Sequence, residues 1–223
     1  MKRTKLKNRQ LPDYTRGEEI FNMVSHIVGG AFGVAALVLC LVSSILKGDP
    51  WSIVGSAVYG VSMVLLYTMS SVYHGLLPEM AKKVMQVLDH CTIYLLIAGT
   101  YTPIALCAIR PRFPAWGWSL FGLVWVIAAV AIVFTAIDLK KYAVLSMICY
   151  IGMGWCVVLA AKPVLETIPL PALLWLLAGG IAYTVGAVLY GLGKRHRYMH
   201  SVFHLFVLAG SILHFVCIFC YII

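Results

Sequence analysis

The stretch Y-M-H-S-V-F-H-L-F-V-L-A-G-S-I-L-H-F, residues 198–215, carries His200, His204 and His214. An apolar run of this length reads as helix, so His200 and His204, at i and i+4, share a face about 6 Å apart along the axis. Two imidazoles so placed can hold one metal ion. His214 returns to nearly the same face but about 21 Å further along, beyond the reach of that ion. Other groups with chemistry to offer lie earlier. M-S-S-V-Y-H holds Ser70, Ser71 and His74, and Q-V-L-D-H-C holds Asp89 and His90. In E-E-I-F-N-M-V-S-H, Glu19, Asn22 and His26 follow i, i+3, i+7 and share a face.

The elements that must position these groups follow from composition. The chain has 223 residues, of which 62% are hydrophobic and 11% charged, against about 45–50% apolar in an average soluble domain. Its charges fall in short clusters between long apolar runs, which is the pattern of membrane spans joined by short loops. The expected fold is an all-α integral membrane bundle of seven spans, at about 20–46, 51–77, 84–109, 115–137, 142–161, 170–192 and 199–223. A short basic tail, residues 1–19, precedes them, and its first span reads as an uncleaved one rather than a signal peptide. Continuous runs such as 117–136 lack the period-two alternation of a barrel strand. No internal repeat suggests duplicated transporter halves. Gly29-x-x-x-Gly33 suits close helix packing, and Pro103 should kink the third span.

The net charge of +9 needs no nucleic acid, because no segment could build a solvated basic domain. It reads instead as topology. Thirteen of the 17 Lys and Arg residues, namely Lys2, Arg3, Lys5, Lys7, Arg9, Arg16, Lys82, Lys83, Lys140, Lys141, Lys194, Arg195 and Arg197, fall on one side. Lys47, Arg110, Arg112 and Lys162 fall on the other. The positive-inside rule then places the N-terminus in the cytoplasm and the C-terminus outside a cell membrane. The cysteines lie almost wholly in apolar runs and read as small buried hydrophobes; Cys217 and Cys220 form a C-x-x-C with no second pair.

An ionisable group inside a span costs at least ~2.5 kcal/mol, so each needs a reason. With this topology His74, Asp89, His200 and His204 lie about 6, 9, 5 and 10 Å inside the same interface at 1.5 Å per residue. Three imidazoles suffice as protein ligands for a catalytic-type zinc with a fourth position for water, and a carboxylate beside that water can orient it or take its proton. The alternatives are ordinary ones. Intramembrane histidines also serve as interhelical hydrogen-bonders, Ser70 can bond back to its own helix, and Glu19 can be a charge favoured by a helix N-terminus. Asn22 and His26 are expected to brace the site from behind the ligands. Asp138 reads as an interface residue beside Lys140 and Lys141, and His196 as a solvated loop residue.

Together, residues 18–26, 70–74, 89–103 and 200–215 resemble the hemolysin III family, bacterial relatives of the adiponectin and progestin receptors that are more distantly similar to alkaline ceramidases. The resemblance implies a seven-helix bundle with a zinc ion in the inner leaflet. By motif position it makes His74, His200 and His204 the zinc ligands, Asp89 the carboxylate on the zinc-held water, and Ser70 its companion. Three functions stay open: a zinc-dependent hydrolase of lipid amide or ester bonds with membrane lipids as its partners, a non-enzymatic membrane-homeostasis or receptor-like protein with structural zinc, and a pore-forming hemolytic protein. Polar residues gathered towards one leaflet, with only Ser211 and His214 further out, disfavour the pore. The tail is shorter than in the receptors, so hormone reception is not carried over, and no protein partner is identifiable.

Overall fold

The computed structural model describes residues 4–193 and 196–223. Lys2, Arg3, Lys194 and Arg195 of the charge pattern lie outside the described residues. Seven helical segments are long and apolar enough to cross a membrane, and no strand occurs among the described residues.

Helix α1, Arg16–Lys47, starts at a reciprocal cap. Thr15 Oγ1 accepts from the Glu18 N–H at 3.3 Å, and Glu18 Oε2 accepts from the Thr15 N–H at 2.8 Å, so two amides that the helix leaves unpaired are satisfied locally. It ends at Gly48, whose φ of 70° is the left-handed stop that glycine adopts without strain. Asp49 then caps α2, Pro50–Gly75, accepting from the Ser52 N–H at 3.0 Å. With so short a link α1 and α2 must run antiparallel. Gly29 and Gly33 are where they touch: a Cβ at Gly29 would enter the Tyr67 ring, and one at Gly33 would sit 3.3 Å from Met63.

Helix α3, Glu79–Pro103, passes into a π turn over Ile104–Ile109. Pro103 has no N–H to give the preceding turn, and the wider winding closes with the Arg110 N–H donating to the Ala105 carbonyl at 2.9 Å. Helix α4 spans Pro114–Ile137. The fifth span is not one helix: α5, Ala143–Gly154, gives way to a 3-10 segment, Cys156–Ala160, and then to α6, Ala161–Thr167. Tyr101 of α3 spans that break, its hydroxyl donating to the Gly154 carbonyl and accepting from the Val157 N–H, both at 2.8 Å. Broken backbone inside a bilayer must be paired in this way. Helices α7, Leu170–Leu192, and α8, Met199–Tyr221, complete the bundle.

Helix α3 is the central column. With its π turn it is the most buried of the seven spans, whereas α7 is the least buried. The outer helices turn large apolar side chains such as Val28, Val126 and Leu174 outward, where lipid replaces a protein core. The tail packs across one end of the bundle. The Thr4 N–H donates to Asp138 Oδ2 at 2.8 Å, Arg9 Nη2 to the Ile137 carbonyl at 2.9 Å, and Lys83 Nζ to the Lys7 carbonyl at 3.0 Å.

Gly29→Val should overpack the α1–α2 contact and cost about 1–3 kcal/mol, lowering the unfolding temperature in detergent measured by intrinsic tryptophan fluorescence. Gly122→Ala, where a Cβ meets nothing within 4 Å, should leave that temperature unchanged.

Candidate metal centre

His74 comes from the last turn of α2, His200 and His204 from the first turns of α8. Glu18 helps set the start of α8: its Oε1 accepts from the Tyr198 N–H at 2.6 Å, holding Tyr198 at a φ of 61° directly before the helix. A non-glycine residue in that conformation costs roughly 1–2 kcal/mol, so the bond to α1 fixes where α8 begins and which way its histidines face.

The three rings then converge. His200 Nε2 lies 3.3 Å from His74 Nε2 and 3.0 Å from His204 Nε2, and one nitrogen from each ring lies within 4.8 Å of the others. His74 and His204 are buried and His200 is half-buried. On the far side of His74, Nδ1 meets Glu19 Oε2 at 2.6 Å. A carboxylate takes the ring's single N–H when imidazole is neutral, so Nε2 of His74 presents a lone pair to the cluster. Three ring nitrogens thus point at one another with no acidic group between them. With neutral rings His200 Nε2 can donate to His74 or accept from His204 but not both, which leaves one contact unpaired, and protonated rings repel. A divalent cation satisfies all three, so the donor set fits a metal ion.

The other α1 residues stand behind the ligands. His26 stacks on His204, ring centres 3.7 Å apart and planes 19° from parallel, and meets Tyr67 edge-on at 5.0 Å. Asn22 Oδ1 accepts from the Ser201 hydroxyl at 2.7 Å, one bond that ties α1 to α8 beside the site. Glu19 is shared: Lys82 Nζ lies 2.8 Å from its second oxygen, which keeps the carboxylate charged and in place.

Asp89 of α3 and Ser70 of α2 are both buried and line the same cavity of about 140 Å³ as His26, His200 and His204. Ser70 lies beside the Asp89 carboxylate. Its sequence neighbour Ser71 instead bonds back to the Tyr67 carbonyl at 2.6 Å. The cavity has room for several water-sized groups and continues between α3, α5, α7 and α8, past Trp155 and Tyr183, to His214. His214 does not join the cluster: Nε2 lies 3.0 Å from the Leu176 carbonyl of α7, an approach possible because Gly179 has no side chain there. Ser211 accepts from Tyr67 at 2.8 Å and pairs with Tyr183 at 2.7 Å. His90 lines the cavity beside Asp89, its Nδ1 at 2.8 Å from the Gln86 carbonyl and 3.8 Å from Asp89 Oδ2.

Tyr14 was not among the residues that sequence reasoning brings forward. Its ring stacks on His200 at 5.0 Å, 14° from parallel, and lies 5.9 Å from His74, so the tail covers the site. Burial pushes the Tyr14 phenol well above its ordinary pKa, with Tyr190, Tyr73, Glu19 and Asp89 adding to the rise, and the hydroxyl keeps its proton. Nothing in the tail's composition marks Tyr14, because only the folded tail brings it over the rings. All seven cysteines are free thiols, with Cys217 buried and Cys220 exposed.

Fold and site together define a multi-pass membrane protein with a buried three-histidine group able to hold a metal ion. Residues 14–215 match the family described as Haemolysin-III related, and the chain belongs to that family. It is 38% identical over 206 residues to Hemolysin-3 of Bacillus cereus, covering 92% of each chain. It is 36% identical over 208 residues to the Hemolysin-3 homolog of Bacillus subtilis (strain 168), covering 93% of this chain and 96% of the relative. Similarity extends to the human monocyte to macrophage differentiation factor, at 26% identity over 184 residues, 79% of this chain and 74% of the relative.

If Glu19 fixes the His74 ring, Glu19→Ala should weaken binding of a divalent metal by about 10–100-fold, read by competition with a chromophoric chelator. His204→Ala should remove the site.

Proposed function

We propose that this chain is a zinc-dependent hydrolase of lipid amide or ester bonds, working near the cytoplasmic face of the cell membrane. The observation that carries the reading is Asp89: a buried carboxylate that lines the histidine cavity without belonging to the group that would hold the metal. A purely structural site has no use for it. Three imidazole nitrogens with no sulfur ligand, on rings of which His200 and His204 line a cavity, are a donor set suited to catalytic zinc. Bound zinc would supply Lewis acidity, polarising a carbonyl and lowering the pKa of water from 15.7 to about 7.

The chain's own residues supply the rest. His74, His200 and His204 hold the ion, and Glu19 holds His74. Asp89, oriented by Ser70, accepts a proton from the attacking water and returns it to the leaving group, the role of a carboxylate general base. The cavity wall of Leu66, Ile93, Leu96 and Val207 is apolar and suits an acyl chain. By the positive-inside rule, the basic residues gathered at the tail end of the bundle support a cytoplasmic N-terminus, and with it a site in the inner leaflet.

A second reading is favoured by the way Glu19, His74, His200 and His204 link α1, α2 and α8: a structural zinc that fixes three helices in a non-enzymatic membrane-homeostasis protein. Asp89→Asn separates the two. The hydrolase reading expects zinc content to stay at the wild-type level while turnover falls by about 10²–10⁴-fold, measured by mass-spectrometric detection of released fatty acid from a ceramide and phospholipid panel. Zinc-loaded wild-type protein that turns over none of these substrates would sink the enzymatic claim.

A further inference from the structure

A second cavity, of about 760 Å³, lies under the tail at the end of the bundle and is lined by tail residues 8–12 and by parts of α3, α5 and α7. Its polar character is one-sided. Arg9 and Lys140 line it, together with Asn8, Gln86 and His90, and among the described residues none of the lining side chains is acidic. Arg9 is the unusual member. It is 8% exposed, and although Nη2 donates to the Ile137 carbonyl, Nε and Nη1 have no hydrogen-bond partner. Asp138 is near enough to feel its charge, yet the Asp138 oxygens already accept from the Thr4 N–H at 2.8 Å and the Lys141 N–H at 3.2 Å. A buried guanidinium with idle donors is costly unless an anion meets it, and its planar fork matches the oxygens of a phosphate.

His90, Met147, Tyr150 and Tyr190 line both this cavity and the histidine cavity, so the two adjoin through a shared wall. Tyr150 sets part of that wall, its hydroxyl donating to the His90 carbonyl at 2.8 Å. A cationic chamber beside an apolar one has the polarity profile of an amphiphile with an anionic head.

We propose that the Arg9 and Lys140 chamber receives the phosphate headgroup of an anionic lipid, whose acyl part passes the His90, Tyr150 and Tyr190 wall towards the histidine cavity. The inference rests on the reading of that cavity as the place where lipid is processed, and it narrows the substrate class to phosphate-bearing lipids. Arg9 and Lys140 are positioning residues; they hold the head while the bond to be cut lies at the histidines.

The test is isothermal titration calorimetry on the full chain in a neutral maltoside detergent, with three probes: oleoyl lysophosphatidate, monooleoylglycerol with the same chain and no phosphate, and inorganic phosphate. Lysophosphatidate should bind at least about tenfold more tightly than either of the others, because it alone satisfies both chambers. Arg9→Gln and Lys140→Gln should each weaken it by about tenfold, with Arg9→Lys recovering part of the loss. Lys140 is exposed, so its variant remains informative if loss of Arg9 disturbs the tail. Phosphate binding as tightly as lysophosphatidate would mark a free-anion site and overturn the lipid assignment. So would monooleoylglycerol binding equally well, or both Gln variants binding like wild type. His204→Ala should retain lysophosphatidate binding. Zinc-loaded wild-type protein that binds lysophosphatidate through Arg9 but turns over none of the lipid panel would remove the hydrolase reading and leave the headgroup site standing.

Discussion

Three imidazoles meeting inside an apolar bundle are stable only if something other than water compensates their ring nitrogens. That requirement organises the tail end of this protein. Glu19 takes the outer nitrogen of His74, His26 covers one face of His204, and Tyr14 covers His200. The inner nitrogens, left facing one another at 3.0 and 3.3 Å, are the feature that a cation resolves. Placement of α1 against α8 follows from the same need, since Glu18 and Asn22 pin the backbone of Tyr198 and the side chain of Ser201. Helix order and site geometry are therefore one problem with one solution.

Two backbone irregularities lie on the helices that border the cavity beside the site. Pro103 ends the regular winding of α3, and the fifth span breaks after Gly154; Tyr101 serves both, lying just before the proline and pairing the amide and carbonyl at the break. Ile151 and Trp155, on either side of that break, line the cavity. Strain or unpaired backbone is tolerated in a membrane only where protein supplies the missing bonds, and here one phenol supplies them at the break of the fifth span.

Much of this was legible before folding. Seven apolar runs separated by charged clusters predict seven helices, because the bilayer fixes their length. Helical rise, taken with the topology that the charge clusters imply, puts His74, Asp89, His200 and His204 in one layer and His214 far from it; in the fold the three histidines cluster, Asp89 lines the adjoining cavity and His214 bonds to α7. The weaker readings depended on contacts that no period encodes. Glu19 at a helix start could equally have been a dipole charge, and only its approach to His74 assigns it. Asp138 read as a plain interface residue, yet it is 1% exposed and accepts the Thr4 amide. Tyr14 and Arg9 lie in a tail without periodicity; their roles arise when that tail crosses the end of the bundle, a long-range contact invisible in local pattern.

In the proposed function His74, His200 and His204 would hold one zinc ion through their imidazole nitrogens. Zinc K-edge X-ray absorption on the purified chain tests it directly. The account predicts a nitrogen or oxygen shell at about 2.0–2.1 Å with the multiple-scattering pattern of three imidazoles, lost in His204→Ala. A sulfur shell at about 2.3 Å, or a spectrum that His204→Ala leaves unchanged, would contradict it.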